Sequence, residues 1–201
     1  MAETPFRPTS TVRQYWDNLS TAEAWAIHGK LITVEEEQAV RAAISLETKS
    51  LPEPIKVLDL ASGANNLVYF SGRNYDLVST DVSLKHLGLL PRDKRVLLDA
   101  RYKLPFTADY DLVTSIFGMR YFEDQEAVIS DSLRLLKTGG KLIMIDYDQT
   151  QAAAEARAFN GEELAAWVNR FLAPHKATCR NMFPGSMKVA SLDLLVIEKS
   201  T

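Results

Sequence analysis

The chain has 201 residues, 46% hydrophobic and 24% charged, which suits one α/β unit and excludes a disordered or fibrous chain. The 23 basic and 26 acidic residues leave a net charge of −3, which argues against a broad electrostatic footprint for nucleic acid or an anionic membrane. The single cysteine, Cys179, excludes an internal disulfide and a thiolate cluster, and His28, His86 and His175 form no HxxxH or HxH pair, so no metal is expected.

Residues 1–10 carry Pro5 and Pro8 among small polar residues and read as a tail; the N-terminus lacks the apolar core of a signal peptide. All the longer apolar runs are strand-sized, so no membrane span and a reducing, cytoplasmic location are expected. Residues 11–29 read as one or two short helices ending at Gly29. Thr33 and Glu36 make a T-x-x-E capping box, opening a helix with Val40, Ala43, Ile44 and Glu47 at helical spacing. Pro52 and Pro54 close this preface, which sets an expected tail and helical lid over 1–50 apart from a main domain over 51–201.

Short apolar runs then alternate with helical or turn segments: IKVLDLA, DLVSTDV, RVLLDA, DLVTSIF and KLIMIDY. Helices are predicted over Asn66–Arg73, Ser83–Leu90 and Asp124–Lys137, the last stopped by Gly139-Gly140; His86 falls on what reads as a surface helix. Strands joined by crossovers predict a doubly wound parallel sheet with its ligand crevice at the carboxyl ends. Asn160 and Glu163 open a further helix with Leu164, Trp167, Val168 and Phe171 on one face, ended by Pro174. ATCRNMF and SLDLLVIEK, either side of a Pro184-Gly185-Ser186 turn, predict a terminal pair of strands.

Three carboxylates stand at successive strand ends. Asp59 enters a turn of small residues, DLASGANN, in which backbone can approach a ligand closely. Asp81, 22 positions on, can accept both hydroxyls of a ribose, and Asp99, beside the Ala100 amide, suits the amino edge of an adenine. Each alone also reads as a turn-forming or capping aspartate. Together they converge on one crevice.

Through VLDLASGANN, STDVS, LLDARYKLPF, YDLVTSIFGMRYF and LKTGGKLIMIDYD, residues 55–148 resemble the class I S-adenosylmethionine-dependent methyltransferases. The resemblance implies a three-layer, Rossmann-like α/β sheet of seven strands, mostly parallel with an antiparallel C-terminal hairpin strand. It also implies S-adenosylmethionine as cofactor. Asp59 and Gly63 would face the methionine moiety, Asp81 the ribose, Asp99 and Ala100 the adenine, and Ser115 and Ile116 the sulfonium, with Ala61, Ser62 and Val82 also cofactor-binding. The family's turn usually reads D-x-G-x-G-x-G, and here only Gly63 remains, with Ala61 and Asn65 at the flanking positions.

The segment VTSIFGMR resembles the one after the fourth strand in the quinone C-methyltransferases of menaquinone and ubiquinone synthesis, which implies a small-molecule acceptor; Tyr121 replaces the asparagine common after the arginine. No (D/N/S)PP(Y/F) loop of the amino-directed nucleic-acid methyltransferases is present, so no nucleic-acid partner is expected, and a homodimer stays open.

Methyl transfer from a sulfonium is an in-line displacement in which the protein mainly positions, so no general base is required. Arg120 and Tyr121, beyond the fourth strand, are the catalytic candidates; Tyr15, Trp16, His28, Tyr147 and His175 are further candidates for substrate contact, each with a packing or helix-end reading beside it. Two other readings stand. One is a methyltransferase-like binding or scaffold protein without turnover, given the missing turn glycines. The other is an NAD-dependent oxidoreductase, disfavoured because ASGANNL holds one glycine where G-x-G-x-x-G is needed.

Overall fold

The aliphatic runs become strands buried on both faces, because helices cover both sides of the sheet they form. A computed structural model describes residues 13–14, 17–19, 32–63, 66–87, 94–100, 102–147, 159–182 and 192–200. Within them lie α1 (Val34–Glu47), β1 (Ile55–Asp59), β2 (Tyr75–Asp81), the short α2 (Leu84–Leu87), β3 (Arg95–Leu97) and β4 (Tyr110–Ile116). After these come α3 (Gln125–Leu135), β5 (Leu136–Tyr147), α4 (Gly161–Phe171), β6 (Lys176–Asn181) and β7 (Leu192–Glu198). Two 3₁₀ turns, Asn66–Tyr69 and Met119–Tyr121, follow β1 and β4.

The sheet has seven strands in the order β3-β2-β1-β4-β5-β7-β6. β1 to β5 pair in parallel, and β7 runs antiparallel to both β5 and β6. This is the expected α/β architecture, closed by the C-terminal hairpin. Strand side chains alternate faces. Leu58, Val113, Leu142, Met144, Leu195 and Ile197 pack with α3 and α4 on one face. Val57, Leu112, Ile143, Ile145, Leu194 and Val196 pack with α1 and Tyr69 on the other.

Local caps set the helix starts. Thr33 Oγ1 accepts the Glu36 amide at 3.2 Å while Glu36 Oε2 accepts the Thr33 amide at 2.7 Å, the reciprocal box its spacing predicts. Asp124 accepts from the Ala127 amide and Asn160 from the Glu163 amide in the same way.

Three predicted helices differ from those observed. Over 66–73 there is a single 3₁₀ turn, because Arg73 turns back to the Thr48 and Leu51 carbonyls and pairs with Glu53. The helix after β2 is described only from Leu84 to Leu87. The helix before β5 ends at Leu135, with Leu136 already extended at φ −76° and ψ 147°. Gly139 and Gly140 therefore do not stop it; they lie within β5, where the Gly139 amide and Gly140 carbonyl pair with Lys199 at 2.8 and 2.9 Å. The predicted turn at 184–186 and most of the preface before residue 32 lie outside the described residues.

Candidate active site

Parallel pairing brings the carboxyl ends of β1 to β5 to one edge, and backbone bonds stitch the turns beyond them. Leu60 donates to the Thr114 carbonyl, Ser62 to Thr80, Leu98 to Asp81 and Phe117 to Ile145, all between 2.7 and 2.9 Å. The turn after β1 thus lies against β2 and β4, with Ala61 at φ 52° and Gly63 at φ 56°.

Asp59 is fully buried and accepts from the Thr114 hydroxyl at 2.6 Å, which braces β1 against β4 on the α1 face. Asp81 is buried at the end of β2. Its Oδ2 accepts the Gly63 amide at 2.9 Å and its Oδ1 the Ser83 amide at 2.8 Å, so one carboxylate holds both turns. Burial pushes the Asp81 carboxyl above the ordinary carboxylate range, against the two amides that favour its charged form. Each oxygen keeps a lone pair for a ligand hydroxyl. Val82 and Ser83 follow in that turn. Asp99 and the buried Ala100 come two and three residues after β3, beside the Asp81 end of β2.

Ser115 and Ile116 close β4. Ser115 is fully buried and its hydroxyl has no hydrogen-bond partner among the described residues. Just beyond, Phe117 adopts φ 61°, a left-handed conformation rare for a bulky residue and typical of functional sites. At Gly118 a Cβ would come 2.7 Å from Ala61 Cβ and 2.8 Å from Ser115 Oγ, so the turns after β1 and β4 touch through a position only glycine fits.

Arg120 sits in the second 3₁₀ turn, paired through its guanidinium with the fully buried Asp146; the Arg120 amide donates to the same carboxylate at 3.1 Å. Its guanidinium lies 5.1 Å from the centre of the Tyr147 ring, and Tyr147 stacks on Phe117 at 5.4 Å and 27°. Burial disfavours the Arg120 cation, but Asp146 together with Tyr121 and Tyr147 outweighs it and holds the group above its usual value. Burial likewise raises the Tyr147 and Tyr69 phenols. Tyr121, half-buried, donates its amide to the Gly118 carbonyl.

His175 is placed elsewhere. It precedes β6, whose Lys176 pairs with Glu198, which in turn pairs with Lys141 near the start of the parallel run of β5, so it lies at the edge opposite the crevice. There its Nδ1 accepts the Ser200 amide at 3.3 Å. Tyr15, Trp16 and His28 lie outside the described residues. Among those described, no cluster of three His, Cys, Asp or Glu could hold a metal ion.

Sequence reasoning missed Asp146, Phe117, Gly118 and the burial of His86, which is 3% exposed rather than on a surface helix. Burial lowers the His86 imidazole, while Asp81 and Asp17 draw it back up. Asp146 was within reach, because the rule that singled out Asp59, Asp81 and Asp99 applies equally to the acidic end of KLIMIDY.

The sequence profile of the ubiE/COQ5 methyltransferase family matches residues 20–171. The ubiquinone/menaquinone biosynthesis C-methyltransferase UbiE of Shewanella halifaxensis (strain HAW-EB4) is 31% identical over 121 residues, 53% of this chain and 48% of the relative. The UbiE of Saccharophagus degradans is 30% identical over 132 residues, 58% and 52%. The chain spans about half the length of these curated relatives. Among solved structures, the [4+2]-cyclase SpnF superposes with a TM-score of 0.71 at 14% identity over 98% of both chains. Magnesium protoporphyrin IX methyltransferase (ChlM) from Synechocystis PCC 6803, with bound SAM, gives 0.69 at 15% identity over 97% of this chain and 99% of its own.

Proposed function

Because the chain belongs to the ubiE/COQ5 methyltransferase family, we propose that it transfers a methyl group from S-adenosylmethionine to a small-molecule acceptor. The fold does not choose this reaction, since a cyclase shares it; family membership is what supports it. The observation that carries the reading is the Gly63 amide bond to Asp81, which joins the first turn to the acidic end of β2. The donor set suits the cofactor. Asp81 has lone pairs for the ribose hydroxyls, Asp99 and the Ala100 amide suit the adenine edge, and Asp59, Ala61, Ser62 and Gly63 form a narrow turn for the methionine moiety. The unpartnered, buried Ser115 hydroxyl, beside Ile116, is a polar group left for a ligand.

When bound, S-adenosylmethionine supplies a methyl group on a sulfonium, an activated leaving group. The chain's part is to hold the acceptor in line, and good alignment is worth roughly 7 to 11 kcal/mol. Arg120 and Tyr121 are assigned to the acceptor side. Ion-paired with Asp146, Arg120 contributes position and positive charge and does not take up a proton. The stacked rings of Phe117 and Tyr147, inclined by 27°, add an aromatic surface beside Arg120 on the acceptor side. A cytoplasmic location and the absence of a nucleic-acid partner accord with the lone cysteine and the acidic balance; no helix among the described residues is long and apolar enough to cross a membrane.

Titration calorimetry tests the cofactor. S-adenosylhomocysteine is expected to bind and NAD to give no heat. Asp81→Asn, which keeps one oxygen for a backbone amide, is expected to weaken binding at least about tenfold, as loss of a charge-assisted hydrogen bond does. Equal affinity in variant and parent would remove Asp81 from the site.

A further inference from the structure

The described part of the N-terminal segment meets the turn after β2 through Asp17 and Leu19. The Ser83 hydroxyl donates to Asp17 Oδ1 at 2.6 Å. Lys85 donates to the Asp17 carbonyl at 3.2 Å and also to the Leu19 carbonyl. Arg13 Nε donates to the other Asp17 oxygen at 3.3 Å. Ser83, itself fully buried, gives its amide to Asp81 Oδ1, and Asp81 Oδ2 takes the Gly63 amide. A continuous line of bonds therefore runs from Asp17 through Ser83 and Asp81 to the turn after β1.

The hydroxyl-to-carboxylate bond is charge-assisted, stronger than a neutral one, and it restrains the serine whose amide aims at Asp81. Deleting it leaves the Asp81 carboxylate in place but frees the turn that orients it. Asp17 also lies outside the segment, 20–171, that the family profile matches.

We propose that Asp17 is a positioning residue for the cofactor's ribose: through Ser83 it fixes the orientation of Asp81. This rests on the reading of Asp81 as the ribose partner.

Calorimetry with S-adenosylhomocysteine and its 2′-deoxyribose analogue tests it in the full chain. The parent is expected to prefer the ribose form by roughly tenfold, the worth of one hydrogen bond to a charged group. In Asp17→Ala and in Ser83→Ala that preference is expected to fall to about threefold or less, and the double variant to lose no more, as for two residues acting in one line. Asp17 is 36% exposed, so its truncation does not endanger folding. An unchanged preference in Asp17→Ala, strictly additive losses, or a parent that does not discriminate the two ligands would overturn the proposal. Failure of the parent to bind S-adenosylhomocysteine at all would instead sink the methyl-transfer reading, and this one with it.

Discussion

Two side chains in left-handed backbone, Ala61 and Phe117, flank the point where the turns after β1 and β4 touch. Such a conformation costs a non-glycine residue roughly 1–2 kcal/mol, and it persists because Gly118 lets Ala61 and Ser115 close in. Gly118→Ala is expected to cost about 1–3 kcal/mol by overpacking. Ala61→Gly removes one of the two colliding carbons and should recover part of that loss. Urea unfolding of the singles and the double measures this, and additive energies would show that the two carbons do not meet. Asp146 makes a second local test. Asp146→Ala leaves the Arg120 cation buried without its partner, so a loss of about 3–5 kcal/mol is expected, against about 0–1 kcal/mol for breaking the more exposed Arg41–Glu37 pair. Similar unfolding midpoints for the two would mean that Arg120 finds another partner. The acidic strand ends were legible because a carboxylate at the end of an apolar run is a local pattern. The φ of Phe117 was not, because a phenylalanine carries no local sign of a left-handed backbone.

The joint between α3 and β5 shows how an element's limits depend on its neighbours. Gly139-Gly140 reads as a helix stop when only nearby residues count. In the folded chain the helix has already ended at Leu135, and Gly140 admits close backbone packing against β4. A Cβ on Gly140 would lie 2.9 Å from the Lys137 carbonyl, 3.1 Å from that of Asp111 and 3.2 Å from that of Tyr110. Gly140→Ala is therefore expected to destabilise by about 1–3 kcal/mol, seen as a lower unfolding midpoint; an unchanged midpoint would mean that the neighbouring carbonyls give way. The N-caps at Thr33, Asp124 and Asn160 were readable in advance because cap and capped amide are three residues apart. The loss of helix after Tyr69 was not, since it follows from Arg73 reaching the end of α1 and the loop beyond it.

For the molecule as a whole, alkaline pH probes the α1 face of the sheet. Burial raises both the Tyr69 and Tyr147 phenols above their ordinary value of 10.0. A raised folded value means that the folded chain holds the proton more tightly, so the stability it brings is complete below pH 10 and is lost as the pH climbs beyond it. Stability is expected to fall steeply above about pH 10, and Tyr147→Phe should make that fall shallower by one proton; chevron or urea midpoints across the range measure it. An unchanged slope in the variant would place Tyr147 in water. The Cys179 thiol, pushed up to about 12 by burial with Asp193 nearby, should resist alkylation at neutral pH in the folded chain and react freely in urea.

Short-range chemistry was enough to establish the strand runs, the helix caps and the acidic residues at strand ends, because each rests on spacing within a few positions. The sheet order, the pairing of Asp146 with Arg120 and the tie from Asp17 to Ser83 came only with the folded chain. Those partners stand 26 and 66 positions apart, and nothing but the packing of distant strands and turns into one edge brings them together.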